Sequence, residues 1–149
     1  MPAIAKNKKA LHNYEVLEKF ETGIVLTGQE VKSLKQGHII LAGSYIRIKD
    51  DEAWLIGAQI AKYDLAGPLP EYDPRRPRKL LLRKRELKYL VGKTQEKGLT
   101  LIPVSVYTKR SKIKLEIGLA RGRKSHDKRA VIKKREEKRK ISRALKIRS

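Results

Sequence analysis

Residues 99–120 read LTLIPVSVYTKRSKIKLEIGLA, and a strand, a short polar turn and a second strand is the simplest reading of them. Ile113, Leu115, Ile117 and Leu119 alternate onto one face, β-branched and aromatic residues crowd Leu99 to Thr108, and Lys109-Arg110-Ser111-Lys112 lies between. That is the pattern of an antiparallel hairpin with one face buried. Pro103 has no N–H for a ladder, so it predicts an edge position or a bulge.

The flanking sequence extends the same theme. Tyr14, Val16, Phe20, Thr22, Ile24 and Leu26 repeat at period two, broken by Glu18, and predict a strand over 14–26 with a bulge or bend permitted at Gly23. Thr27-Gly28-Gln29-Glu30 is a capping box, in which hydroxyl and carboxylate each satisfy an unpaired N–H at a helix start. A short helix over 28–36 with Gly37 as its stop follows. Ser44–Lys49 and Ala53–Ala61 form a further predicted hairpin around Asp50-Asp51-Glu52, with Trp54 expected as its core anchor. Gly67 to Pro77, with four prolines, reads as a long cationic loop of the kind that binds a partner, and Leu80-Leu81-Leu82 as a brief strand. Leu87, Leu90 and Val91 sit at helical spacing within Arg83–Lys97, with Gly98 as the cap. Antiparallel strands dominate this order. The fold class is mainly β with helices: an OB-like antiparallel β-barrel with flanking short helices and a basic C-terminal tail.

Charge separates the barrel from the tail. The 149 residues carry 37 Lys and Arg against 16 Asp and Glu, a net charge of +21. Residues 121–149 hold 14 basic and 3 acidic residues, and residues 1–120 the remainder. Apolar residues in 121–149 are too scattered to bury a core, although Lys, Arg, Glu and Ala favour helix once phosphates screen their repulsion. The expectation is a barrel domain over 1–120 and a tail over 121–149 that is disordered when free and helical when bound. Composition alone also allows a solvated tail adding only non-specific affinity. So basic a chain attracts polyanions, nucleic acid first among them. Most of its eight aromatics follow patterns expected to face a core, so folded RNA gripped by its phosphates is favoured over stacked single strands.

Catalysis finds little purchase. With no cysteine there is no disulfide, thiolate metal site or Cys nucleophile. His12, His38 and His126 stand in no metal-ligand spacing, and no nucleotide loop or nucleophile elbow is present. Neither enzyme activity, cofactor nor metal is expected. The first residues lack the apolar run of a signal peptide and no segment approaches the length of a membrane span, so a cytoplasmic protein with no membrane partner is expected.

Six segments, in order, carry a resemblance: Asn7-Lys8-Lys9-Ala10, Thr22 to Leu26, Gly28-Gln29-Glu30-Val31-Lys32-Ser33-Leu34, Asp73-Pro74-Arg75-Arg76-Pro77-Arg78-Lys79-Leu80-Leu81-Leu82, Gly118 to Lys124, and His126-Asp127-Lys128-Arg129. Together they resemble the SsrA-binding protein (small protein B) family of bacterial trans-translation. The resemblance implies a protein that binds the tRNA-like domain of transfer-messenger RNA (tmRNA) and delivers it to stalled 70S ribosomes. There the barrel would replace the missing anticodon half of a tRNA, and the tail would enter the decoding centre and the empty mRNA channel of the small subunit. It further implies RNA-facing roles for Glu21, Leu81 and Lys114; a carboxylate there would bond base or ribose donors or orient a neighbouring cation. Lys8, Lys9, Lys32, Arg75, Arg76, Arg78 and Lys79 complete the expected RNA-binding set. Arg123, Lys124, His126, Asp127, Lys128, Arg129, Lys133, Lys134, Arg135 and Ile141 form the expected ribosome-binding set. His38, where lysine is common in the family, and the Gly67–Glu71 loop depart from its pattern. Residues alone leave a second reading open, a structural rRNA-binding protein with a basic extension.

Overall fold

The computed structural model describes residues 3–123 and 132–139. Its elements run β1 (Ala3–Lys6), α1 (Lys8–Asn13), β2 (Tyr14–Gly23), α2 (Gly28–Lys35), β3 (Ile39–Ile40), β4 (Tyr45–Lys49), β5 (Glu52–Ile56), β6 (Gln59–Ile60), β7 (Arg78–Leu80), α3 (Lys84–Thr94), β8 (Leu99–Lys109) and β9 (Lys112–Gly122), with a 3-10 turn at Asp64–Ala66. Both predicted hairpins form. Their two-residue turns, Asp50-Asp51 and Arg110-Ser111, all have positive φ, between 51° and 67°, the left-handed backbone that matches the twist of the flanking strands. The helix at 28–35 starts on its capping box: the Thr27 side chain accepts from Glu30 N–H and the Glu30 carboxylate accepts from Thr27 N–H at 2.9 Å.

One sheet has the order β1-β8-β9-β2, and β9 is the strand both neighbours are measured against. Each neighbour carries one extra residue: β2 between Val16 and Glu18, and β8 between Pro103 and Ser105. Pro103 therefore sits at a bulge, as its missing N–H requires, while the β2 bulge falls at Leu17 rather than at Gly23. Each bulge exchanges the faces of its strand. Phe20, Thr22, Val106, Leu115 and Ile117 face the main core with Leu34, Leu55, Ile60, Leu80 and Leu90, whereas Val16 and Val104 turn to the opposite face, where Ala10 of α1 packs on Ile102 and Ala120. Gly118 is the close-packing point beneath α1: a Cβ there would lie 2.9 Å from Val16 Cγ1 and 3.1 Å from Val104 Cγ2. Gly118→Ala is expected to lower the unfolding free energy by about 1–3 kcal/mol by overpacking, as measured in urea, because something must shift at these distances and β-branched side chains are stiff at χ1.

A second ladder has the order β4-β5-β7, and β3 pairs only with β6. The two larger ladders meet through the Ile24–Leu80 bridge and two bonds of 2.9 Å, Val25 N–H to Lys79 O and Leu81 N–H to Gly23 O. Among the described residues no ladder joins β4 back to β8. The sheets wrap one core, but the hydrogen-bonded barrel is not closed, because β8 is already paired on both sides, by β1 and β9. Three other expectations need correction. The strand predicted over 53–61 breaks at Gly57, whose φ of 82° takes the chain from one ladder to the next. Trp54 is not a core anchor: Ala53 and Leu55 point inward, which turns Trp54 to the outer face between Arg47 and Lys79. β1 and α1 were not anticipated; Asn7 caps α1 and donates from Nδ2 to the Pro103 carbonyl at 2.9 Å.

Residues 132–139 are helical and exposed throughout. The tail's remaining expectations, over 124–131 and 140–149, lie outside the described residues.

Candidate nucleic-acid interface

The face of the β1-β8-β9-β2 sheet that α1 covers at one end is open at the other, and alternation decides which side chains emerge there. Glu21 pairs with Glu116, and Gly23 with Lys114, which in turn pairs with Tyr107. These residues share the outer face with Lys109, two positions beyond Tyr107. Leu81, on the segment hydrogen-bonded to Gly23, lies directly over that glycine: a Cβ on Gly23 would stand 3.2 Å from Leu81 Cδ1. The three residues implied by the resemblance, Glu21, Leu81 and Lys114, are thus brought together around Gly23. Leu81 is 57% exposed while its neighbour Leu80 is buried, so the leucine at the surface is the one the resemblance selected.

Glu21 is held rather than free. Its carboxylate accepts from the Tyr107 hydroxyl and from Lys109 Nζ at 3.2 and 3.3 Å. Those hydrogen bonds, from Tyr107 first and then Lys109, outweigh partial desolvation and hold the Glu21 carboxyl below its ordinary value. Tyr107 moves the opposite way, raised first by burial and then by the adjacent carboxylate, so it stays a neutral donor at neutral pH. The carboxylate orients a lysine and a phenol beside Lys114, an arrangement suited to phosphate and ribose contacts. Sequence reasoning missed Tyr107 and Lys109. The signal was present in the turn: with Arg110-Ser111 as the two turn residues, counting back by twos puts 109 and 107 on one face.

The other expected cations divide. Lys8 and Lys9 are exposed on α1, Lys32 is exposed on α2 with its Nζ 5.7 Å from the centre of the Tyr63 ring, and Arg75 is exposed after an Asp73 turn. Lys79 lies on the outer face, 3.1 Å from Glu52. Arg78 must be withdrawn from the RNA-binding set, since its side chain is fully buried. Its Nε donates to Glu30 Oε2 at 2.9 Å, Nη1 to the carbonyls of Ala58 and Pro74 at 3.0 and 2.9 Å, and Nη2 to Glu30 and to the Tyr72 hydroxyl. Every guanidinium N–H therefore has an acceptor. Arg76 gives Nη2 to the other Glu30 oxygen and keeps 39% of its side chain exposed. Burial alone would raise the Glu30 carboxyl, but the Thr27 N–H, Arg78 and Arg76 together hold it below its ordinary value. Arg76 in the loop and Arg78 just beyond its end thus anchor this segment to α2.

Of the expected ribosome-binding residues, Arg123 is tied to the body, its N–H donating to Asn13 O at 2.8 Å. Lys133, Lys134 and Arg135 lie on the exposed helix at 132–139. Lys124, His126, Asp127, Lys128, Arg129 and Ile141 fall outside the described residues. Among the described residues there is no group of three or more His, Asp or Glu that could hold a metal ion, and no helix long and apolar enough to cross a membrane.

Comparison with known proteins bears on this surface. The family model described as SmpB protein matches residues 4–147. Similar curated proteins include an SsrA-binding protein of Acaryochloris marina, 48% identical with 96% of this chain and 93% of that protein covered. Another is an SsrA-binding protein of Persephonella marina, 50% identical with 96% and 93% covered. A chain of the solved structure described as "tmRNA-SmpB: a journey to the center of the bacterial ribosome" superposes with a TM-score of 0.68 at 47% identity, over 84% of this chain and 87% of that one. With both sequence and fold matched over most of its length, the chain belongs to the SmpB protein family.

Proposed function

We propose that this chain binds the tRNA-like domain of tmRNA through the outer-face cluster of Glu21, Leu81, Lys114, Tyr107 and Lys109, and delivers it to stalled ribosomes in trans-translation. The observation that carries this reading is the convergence of Glu21, Leu81 and Lys114 around Gly23 from three separate segments. The names of its relatives support it, each an SsrA-binding protein. In this reading the protein is a cytoplasmic binding factor, not a catalyst. The barrel domain stands in for the anticodon half of a tRNA. The tail, including Lys133, Lys134 and Arg135, engages the decoding centre and the mRNA channel of the small subunit.

Competition binding at one fixed, near-physiological salt concentration tests this, with the tRNA-like domain of tmRNA set against ordinary tRNA and a matched duplex. Strong preference for the tRNA-like domain is expected. Equal binding to all three would leave only a basic RNA-binding protein and overturn the proposal. Lys114→Ala is expected to weaken binding and to reduce the slope of log K against log salt by about one, as loss of one phosphate contact requires. Glu21→Ala, which frees Tyr107 and Lys109 from their carboxylate, is expected to cost about tenfold or more in affinity for the tRNA-like domain. Unchanged affinity in both variants would place the RNA elsewhere.

A further inference from the structure

Trp54 is the chain's one tryptophan, and a large aromatic side chain on the outer rather than the core-facing side of its strand calls for a reason. In the β4-β5-β7 ladder it stands opposite Arg47 on one side and Lys79 on the other. The neighbouring outward pairs are Tyr45 with Ile56 and Lys49 with Glu52. Tyr45 is 48% exposed and Val25, beside Lys79, is 44% exposed. The surface is a half-buried indole set between cations and rimmed by exposed apolar groups, and among the described residues no further strand pairs with this ladder. An apolar partner would leave Arg47, Lys49 and Lys79 without counter-charge beyond Glu52. A nucleotide satisfies both features at once, its base on the indole and its phosphates on the flanking cations.

We infer that the outer face of this ladder, centred on Trp54, is a stacking site for one unpaired nucleobase of the bound RNA, with Arg47 and Lys79 taking the adjoining phosphates. The inference rests on the RNA-binding reading above and extends that surface. The Glu21–Lys114 cluster is continuous with Trp54 through the backbone bonds that join Gly23 and Val25 to Leu81 and Lys79. From β9 through β2 and β7 to β5 is three strand spacings, roughly 14 Å, so one RNA lies across both. A base already stacked within a duplex does not fit; a base splayed from a loop does.

Because Trp54 is the only tryptophan, indole emission from the unmodified full chain, excited at the red edge where the tyrosines do not absorb, reports on this side chain. Titration with the tRNA-like domain of tmRNA at fixed salt is expected to quench that emission in step with binding measured independently by anisotropy of labelled RNA. A matched duplex is expected to leave it unchanged. Trp54→Ala is expected to weaken binding of the tRNA-like domain by about 5- to 100-fold, and Trp54→Phe to keep most of the affinity, since any aromatic face stacks. Arg47→Ala, at an exposed position that leaves the core untouched, is expected to lower the salt slope by about one; it decides the matter if Trp54→Ala does not fold. Unchanged emission at saturation, with Trp54→Ala (or, where that variant does not fold, Arg47→Ala) binding as the unaltered chain does, would overturn the inference. If Lys114→Ala still weakened binding in that case, the RNA-binding reading would stand without it. If Lys114→Ala were silent as well, both would fall.

Discussion

Glu30→Ala is expected to lower the unfolding free energy by about 3–5 kcal/mol, because it strands the fully buried Arg78 guanidinium without its counter-charge. It also removes the bond to Thr27 N–H that starts α2 and the bond that holds Arg76. Urea unfolding is the measurement. A loss below about 1 kcal/mol would mean that the pair contributes no more than an exposed one. The pH dependence supplies an independent check. The Glu30 carboxyl is held below its ordinary value in the folded chain, so the unfolded chain binds the proton first as pH falls. The stability this group contributes is therefore fully present above the ordinary carboxylate value of about 4.3. It is lost as the pH drops through the lowered folded value. Glu30→Gln is expected to flatten that acid limb and to leave the shape of the profile above pH 5 unchanged.

Truncation after Arg123 is expected to abolish peptide tagging on stalled ribosomes while leaving preference for the tRNA-like domain of tmRNA intact. The cut belongs there rather than at 120, since Arg121 and Gly122 still pair with Glu15 and Tyr14, and Arg123 is bonded to Asn13. Parallel loss of RNA preference and tagging would refute the division between barrel and tail. A proline distinguishes shape from charge. Arg135→Pro, in the middle of the exposed helix at 132–139, costs that helix about 3 kcal/mol, whereas Arg135→Ala removes the same charge and favours helix. Tagging lost with Pro but retained with Ala would show that the tail acts as a helix; equal activity would show that it acts as charge alone.

Local chemistry made much of this legible. The capping box at Thr27–Glu30, both two-residue turns, the bulge at Pro103 and the alternation of Ile113 to Leu119 each follow from rules that act over a few residues. Arg78 and Trp54 were misassigned for a common reason: composition names the residue, but strand phase decides its face. Leu80 is buried, so counting by two puts Arg78 inward with it and Lys79 outward. The same count from Ala53 and Leu55 sends Trp54 out. Nothing local could show that a buried carboxylate waits for Arg78 across 48 residues of chain. Burial of an arginine depends wholly on such a partner. Glu21 and Lys114 were reached through family resemblance, whereas Tyr107 and Lys109 emerge only once the hairpin register is known.

The extra residue at Leu17 also decides the parity of β2. Val16 and Glu21 are an odd number of positions apart, yet both lie on the face that α1 and the Glu21–Lys114 cluster share, which a regular strand forbids. Deleting one residue at the bulge would keep every amino acid of the cluster and turn Glu21 toward the core, with Phe20 outward in its place. In an evolving gene, this segment is thus far more vulnerable to a single in-frame codon loss than to most substitutions. What is inherited here is a count as much as a composition.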